Sequence, residues 1–295
     1  MLRSVRRFLR GALAAVNKRL QDPETSPPLE ADVEPIRRFL LSLDQPDEPA
    51  AAYLREHLDR LAFTASFAPP AGVTARCLEL GSYMHLAPAL QQFRGYSSIR
   101  TADYGPLGSK AHKSASIAGQ IILECDTDRF DAERDPFPYP ADHFELVLAC
   151  ELLEHLRADP MHMIFEAFRV LQPQGRLLLT TPNCASFASL EQLLWRSANP
   201  YTYSLYPHPA RQEQAASHIR EYTPDELRRV LESAGFEVEL LLTRPGRPIE
   251  TRDLIEDLLL RYGFPTTLRG EQIYCLARKP GHQPQQDRFP SFLYG

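Results

Sequence analysis

Seven short apolar runs punctuate the chain after residue 75: RCLELGS (76–82), SSIRTADY (97–104), QIILECD (120–126), FELVLAC (144–150), GRLLLTT (175–181), FEVELLLT (236–243) and QIYCLARK (272–279). Each has strand length. Several are continuously apolar rather than alternating, the pattern of strands buried on both faces in a parallel sheet covered by helices. Helical periodicity separates some of them. Met163, Ile164, Ala167, Phe168, Val170 and Leu171 give one apolar face to a helix over 160–171. Thr223, Pro224 and Glu226 form the capping box that opens another, which Gly235 stops. The pattern predicts an α/β fold with a doubly wound, seven-stranded, mostly parallel sheet.

Ahead of the sheet the pattern is different. In residues 1–20 the only charges are Arg3, Arg6, Arg7, Arg10, Lys18 and Arg19, while Leu2, Val5, Leu9, Leu13, Val16 and Leu20 recur at helical spacing. Such a basic amphipathic helix suits the surface of an anionic membrane; packing on the protein's own body or on a partner is the competing reading. QDPETSPP (21–28) reads as a linker and is followed by helical patterns at about 31–43 and 49–65, which PPAG (69–72) ends. The expected organisation is a basic helix at 1–20, a linker and helical extension at 21–70, a main domain at 71–280 and a tail at 281–295. An insert at about 186–218 carries Trp195, Tyr201, Tyr203, Tyr206, His208 and Arg211 between prolines, and reads as a lid over a substrate.

The net charge of -5 disfavours nucleic acid as a partner, because phosphate binding calls for clustered positive charge. The five cysteines, Cys77, Cys125, Cys150, Cys184 and Cys275, show neither CxxC pairing nor zinc-ligand spacing, which fits a reducing compartment. No apolar run reaches the roughly 20 residues that span a bilayer, and no signal-peptide pattern opens the chain. The expected location is cytoplasmic, with peripheral contact at the inner face of the membrane as the role open to residues 1–20.

In a doubly wound sheet a ligand binds at the carboxyl ends of the strands where strand order reverses. The first strand ends in Glu79-Leu80-Gly81-Ser82, with a single glycine where a dinucleotide-binding turn would carry GxGxxG. The second ends in Thr101-Ala102-Asp103-Tyr104, which places an acid to accept hydrogen bonds from ribose hydroxyls.

LELGS, ADYG, FDAERDPFPYPADHFELVLACELLEHL, RVLQPQGRLLLTTPN and HIREYTPDELRRVLESAGFEV, in that order, resemble successive blocks of the class I S-adenosylmethionine-dependent methyltransferases over 76–279. The nearest likeness is to bacterial members that accompany glycosyltransferases in polysaccharide biosynthesis. The resemblance implies S-adenosylmethionine as cofactor, with Glu79, Gly81 and Ser82 at its methionine moiety, Asp103 and Tyr104 at the ribose and Asp131 and Ala132 at the adenine. It also implies Cys150 and Glu151 along the cofactor site. Asp126 competes with Asp131 for the adenine. One departure stands out: Tyr83 occupies the place of the family's second glycine, so either the turn is reshaped or cofactor affinity is reduced. Gln174 likewise stands where the family commonly has glycine.

The reaction so implied is in-line methyl transfer to a hydroxyl or carboxyl of a glycan or small metabolite, which requires no metal. His155 and His218 are the candidate general bases for a hydroxyl acceptor; both could also be ordinary structural histidines. The competing functions are a noncatalytic adaptor that keeps the fold, and an NAD-dependent oxidoreductase.

Overall fold

In the computed structural model, which describes residues 30–196, 218–246 and 248–294, two helices precede the sheet: α1 (Glu30–Ser42) and α2 (Glu48–Phe67). Then follow β1 (Arg76–Leu80), α3 (Leu86–Arg94), β2 (Ser98–Asp103), β3 (Lys110–Ile117), β4 (Gln120–Arg129) and β5 (Phe144–Cys150). The remainder is α4 (Pro160–Val170), β6 (Leu171–Pro182), α5 (Phe187–Trp195), α6 (Pro224–Ser233), β7 (Glu237–Arg244), α7 (Arg252–Tyr262) and β8 (Gln272–Arg278). The basic segment 1–20, the linker 21–28 and residues 197–217 of the insert lie outside the described residues.

All seven expected strands are present, but among the described residues the sheet has eight, in the order β3-β4-β2-β1-β5-β6-β8-β7. The seven-strand expectation is corrected by β3, whose sequence KAHKSASI has no apolar run because it is an exposed edge strand. It pairs antiparallel with β4 through a turn at Ala118 and Gly119 (φ +49° and +77°), the left-handed pair that a two-residue hairpin needs. β8 is also antiparallel to both its neighbours.

Period-two alternation in the buried strands divides the core between the two faces. Leu78, Leu80, Val147 and Ala149 face a cluster closed by α4 and α6. Cys77, Leu146 and Leu148 face the opposite cluster, closed by Val33, Ile36 and Leu40 of α1, Leu54 and Leu61 of α2, and α3. The helical extension is therefore one of the sheet's two covers. Asp44, at the end of α1, fastens it to the edge hairpin by accepting the amides of Ala118 (3.1 Å) and Gly119 (2.8 Å) and the Ser116 hydroxyl (2.8 Å).

Local signals act where the sequence places them. α6 opens with the full Thr223/Glu226 capping box, and Gly235 follows with φ +93°. Gln174 adopts φ +68°, which explains why glycine suits that position. In the tail, Phe292, Leu293 and Tyr294 pack against the α4/α6 cluster, and the Arg229 guanidinium lies 3.8 Å from the Phe292 ring centroid. All five cysteines are free thiols, with Cys77, Cys125 and Cys275 buried. Among the described residues no helix is long and apolar enough to cross a membrane.

Candidate active site

β1 lies between β2 and β5, both parallel to it, so strand order reverses at its carboxyl end, where an open α/β sheet binds its ligand. Gly81 leaves the strand with φ +67°, and its amide donates to the Ala102 carbonyl at 2.7 Å. The left-handed step that follows is carried by Met84 (φ +61°) rather than by Tyr83. The Tyr83 ring swings outward, 70% exposed, and stacks on Tyr53 of α2 at 5.0 Å between centroids. The turn is thus reshaped so that the bulky residue forms a rim and does not fill the space beneath.

That space is a cavity of about 480 Å³. Gly81, Ser82, Asp103, Tyr104, Asp131 and Ala132, all singled out from the sequence, line it. Asp126 does not; it faces outward on β4, where Arg100 (2.7 Å) and His112 (3.5 Å) engage its carboxylate. Apolar walls come from Leu80, Ala102, Phe130, Leu152 and Leu156, none of which carries chemistry that a sequence reading could single out. Sequence reading also missed Lys113, the only lysine or arginine among the described lining residues. From β3 its ammonium reaches Asp103 Oδ2 at 2.6 Å and donates to the Ser82 carbonyl at 2.6 Å.

Three implied cofactor residues lie elsewhere. Cys150 is on the α1–α3 face of β5, in register with Leu146 and Leu148, so strand alternation turns its thiol away from the cavity. Glu79 shares that parity with Cys77: it sits behind the turn, 4% exposed, rather than on the wall. Burial pushes its carboxyl up to about 7, against the opposing pull of the Ser82 hydroxyl and the Lys113 charge. Its Oε2 is buried without a hydrogen-bond partner. Glu151 (φ +51°) turns the chain after β5 and faces a second cavity. There Thr180 and Gln272 donate to its Oε1 at 2.7 and 2.6 Å, with Arg60 at 3.8 Å.

The second cavity, of about 570 Å³, abuts the first, and Tyr83 and His155 line both. Its walls come from distant parts of the chain: Tyr53, Arg60 and neighbours on α2, the turn after β5, the start of α5, residues 218 and 221, and the ends of β7 and β8. Among the described residues six carboxylates face it, Glu151, Glu154 and Glu221 among them, against the guanidinium groups of Arg60 and Arg244.

His155 ends a short 3₁₀ turn, Leu153–His155. The loop bearing His218 is tied to that turn because the amides of Ile219 and Arg220 donate to the Glu154 carbonyl at 2.7 and 3.3 Å. The two imidazoles consequently meet edge to face at 4.9 Å, and His218 Nδ1 bonds Glu221 Oε1 at 2.7 Å. Glu154 lies beneath them, 0% exposed. Thr181 donates to its Oε2 at 2.9 Å, while Oε1 is buried without a hydrogen-bond partner. Desolvation, and next the nearby Glu151 charge, hold the Glu154 carboxyl well above the usual carboxylate range. In the described part of the insert, Ser186, which caps α5, and Ala188, Ser189 and Gln192 of that helix contribute to this wall.

Residues 48–241 match the family described as Methyltransferase domain, a span that begins with α2 and so includes the helix carrying Tyr53 and Arg60. A probable S-adenosylmethionine-dependent methyltransferase of Mycolicibacterium smegmatis is 33% identical over 102 residues, covering 35% of this chain. The chain spans about a third (32%) of the length of that curated relative. Among solved structures, an S-adenosylmethionine-dependent methyltransferase from Mesorhizobium loti is 14% identical with a TM-score of 0.44, covering 76% of this chain and 97% of its own. A chain from the complex of the Haloferax volcanii Trm112 methyltransferase activator with a methyltransferase is 16% identical with a TM-score of 0.49, covering 79% and 96%.

The first cavity offers groups that an adenosyl ligand could use: the Asp103 carboxylate is of the kind that accepts ribose hydroxyls, and the apolar walls suit a purine ring, while Glu79, off the wall, keeps a buried Oε2 without a hydrogen-bond partner behind the turn. The chain belongs to the methyltransferase-domain family.

Proposed function

We propose that the protein transfers a methyl group from S-adenosylmethionine in the first cavity to an oxygen of a polar acceptor in the second, a hydroxyl or carboxyl of a glycan or small metabolite. The observation that carries this reading is the shared wall: His155 and Tyr83 border both cavities, so an acceptor atom beside His155 adjoins the cofactor space. When bound, the cofactor supplies a methyl group on a sulfonium, so that an O–CH₃ bond forms as the C–S bond breaks. Asp103 and the Gly81–Ser82 turn hold the donor side in place. Leu152 and Leu156 exclude water beside it. His218, whose Nδ1–H donates to Glu221, presents a basic Nε2 on the acceptor side, and with His155 it takes the proton that a hydroxyl must lose. A second cavity rich in hydrogen-bonding groups and flanked by Tyr53, Tyr83 and Tyr274 suits a polyhydroxylated ring.

Single-turnover transfer separates this from an adaptor role. Alanine at His155 or His218 is expected to slow the step by about 100-fold; a loss below about tenfold removes both from proton transfer. Mass spectrometry of lipid-linked and nucleotide-linked sugars from cells with and without the protein tests the acceptor class. A species lighter by one methylene in cells lacking the protein supports a glycan. An unchanged sugar profile alongside an altered small metabolite relocates the reaction. For residues 1–20 the proposed role is peripheral contact with anionic lipid, supported by the spacing of arginines against leucines. Vesicles rich in phosphatidylserine should retain the full chain and release a chain lacking 1–20; equal retention refutes the contact.

A further inference from the structure

Glu154, His155 and His218 each offer one ligand atom, and these atoms all lie within 4.8 Å of one another. We infer that they form a binding site for a divalent first-row transition-metal ion at the junction of the two cavities. The inference deepens the proposed function and rests on its acceptor site: the ion, rather than a histidine base, would activate the acceptor oxygen.

Three observations converge. The first is geometric. Around one ion at about 2.1 Å from each ligand, donor atoms sit roughly 3 to 4 Å apart, so modest side-chain torsions close this set. His155 Nε2 already stands 3.9 Å from Glu154 Oε1. The second is electrostatic. Glu154 is 0% exposed, and its Oε1 has no hydrogen-bond partner. A buried carboxyl oxygen in that state costs free energy that a cation, releasing the acid's proton to solvent as it binds, would recover. Among the described residues, six carboxylates against two guanidinium groups around this cavity favour cations. The third is the support behind His218. Metal-bound imidazoles commonly donate their other ring N–H to a carboxylate, which fixes tautomer and orientation. Glu221 accepts such a bond from Nδ1 at 2.7 Å while itself buried, and the bond places the lone pair on Nε2.

Two imidazoles and one carboxylate suit Zn²⁺, Mn²⁺ or Fe²⁺, whereas Mg²⁺ favours all-oxygen ligation. Three protein ligands leave further coordination positions for an acceptor, and the cavity gives access to them. A hydroxyl held there loses its proton more readily. The proton passes to solvent through the open cavity, the oxygen forms its bond to the methyl carbon, and the ion is unchanged in oxidation state.

The test uses the full chain stripped with a chelator and titrated with Co²⁺, followed by visible absorption and by calorimetry, with neither cofactor nor acceptor present. One Co²⁺ per chain is expected, displaced by Zn²⁺. Glu221→Gln should weaken uptake by about 10 to 100-fold, and His155→Ala and His218→Ala by more. Glu154→Gln, nearly isosteric, should also weaken uptake while circular dichroism stays that of the wild type, so that loss of binding is read apart from loss of fold. No Co²⁺ uptake, or uptake that the histidine variants leave unchanged, overturns the inference. Because uptake is read without transfer, failure of the methyl-transfer reading leaves the ion standing. Conversely, full transfer by stripped wild type that takes up no Co²⁺, with the alanine variants slow, retains the histidine base and refutes the ion.

Discussion

The two adjoining cavities are built on opposite principles. The first hangs on the carboxyl ends of neighbouring strands, so residues near the strand ends, Gly81–Ser82, Asp103 and Asp131 among them, supply much of its polar lining beside Leu80, Ala102, Phe130, Leu152 and Leu156. The second is assembled from α2, the turn after β5, α5, the loop at 218–221 and the ends of β7 and β8, and is lined largely by ionisable groups. A sheet fixes the first geometry almost unavoidably. The second depends on how loops and an added helical cover happen to pack. On the proposed reading the comparison teaches where change is tolerated: donor recognition is tied to the fold, and acceptor choice to its attachments.

The largest expected effect that would break this division is at Asp103. On the proposed reading, alanine there removes the two charge-assisted hydrogen bonds offered to the ribose, and S-adenosylmethionine affinity by calorimetry should fall about 100-fold or more. A change below threefold would detach Asp103 from the cofactor. His218→Ala should do the opposite: slow transfer by about 100-fold while cofactor affinity holds within about twofold. Equal losses in both readouts would show that the cavities do not divide the work.

A pH titration sharpens the picture. Because burial raises the Glu79 carboxyl to about 7, the negative charge behind the cofactor turn develops as pH rises through neutrality. Affinity for the cationic cofactor should therefore increase from pH 6 to 8, by at most about tenfold per pH unit, and Glu79→Gln should flatten the rise. For stability the sign reverses. The folded state holds this proton more tightly than the unfolded chain, so the contribution is full below the ordinary glutamate value of about 4.3 and is lost as pH rises through about 7. Urea midpoints of Glu79→Gln against wild type across that window measure it.

Smaller effects mark the edges. Lys113 already engages Asp103 and would, on the proposed reading, compete with the ribose and repel a sulfonium, so Lys113→Met should tighten cofactor binding by a few-fold; weaker binding would mean that its bond to the Ser82 carbonyl matters more. Thr223→Ala, remote from both cavities, should cost about 1 kcal/mol of stability by loss of the capping box and leave binding unchanged, as a melting curve and one titration would record.

The same division explains what the sequence made legible. Buried strands, the α6 cap and the acids and glycine at strand ends are local signals, readable from a few adjacent residues. β3 was not readable because an exposed edge strand needs no apolar run, and Lys113 went unnoticed with it. The resemblance places Cys150 along the cofactor site, whereas the parity of β5 sets it on the face of Leu146 and Leu148, which only the pairing of the strands reveals. Glu151 lines the neighbouring cavity because a left-handed residue at a strand end redirects the chain, which no local pattern announces. His155 and His218 were each visible as candidates, but their meeting over Glu154 was not. It depends on two backbone bonds to the Glu154 carbonyl that join segments far apart in sequence. Tyr53 and Arg60 carried no signal, since their roles arise only when the helical extension packs over the first turn.

The central claim, an adenosyl sulfonium bound at the strand-order reversal, is tested most directly by titrating S-adenosylmethionine, its demethylated product and NAD into the full chain by calorimetry. The account predicts one-to-one binding of the first two and no heat from NAD. Binding of NAD alone, or of none of the three, would contradict it.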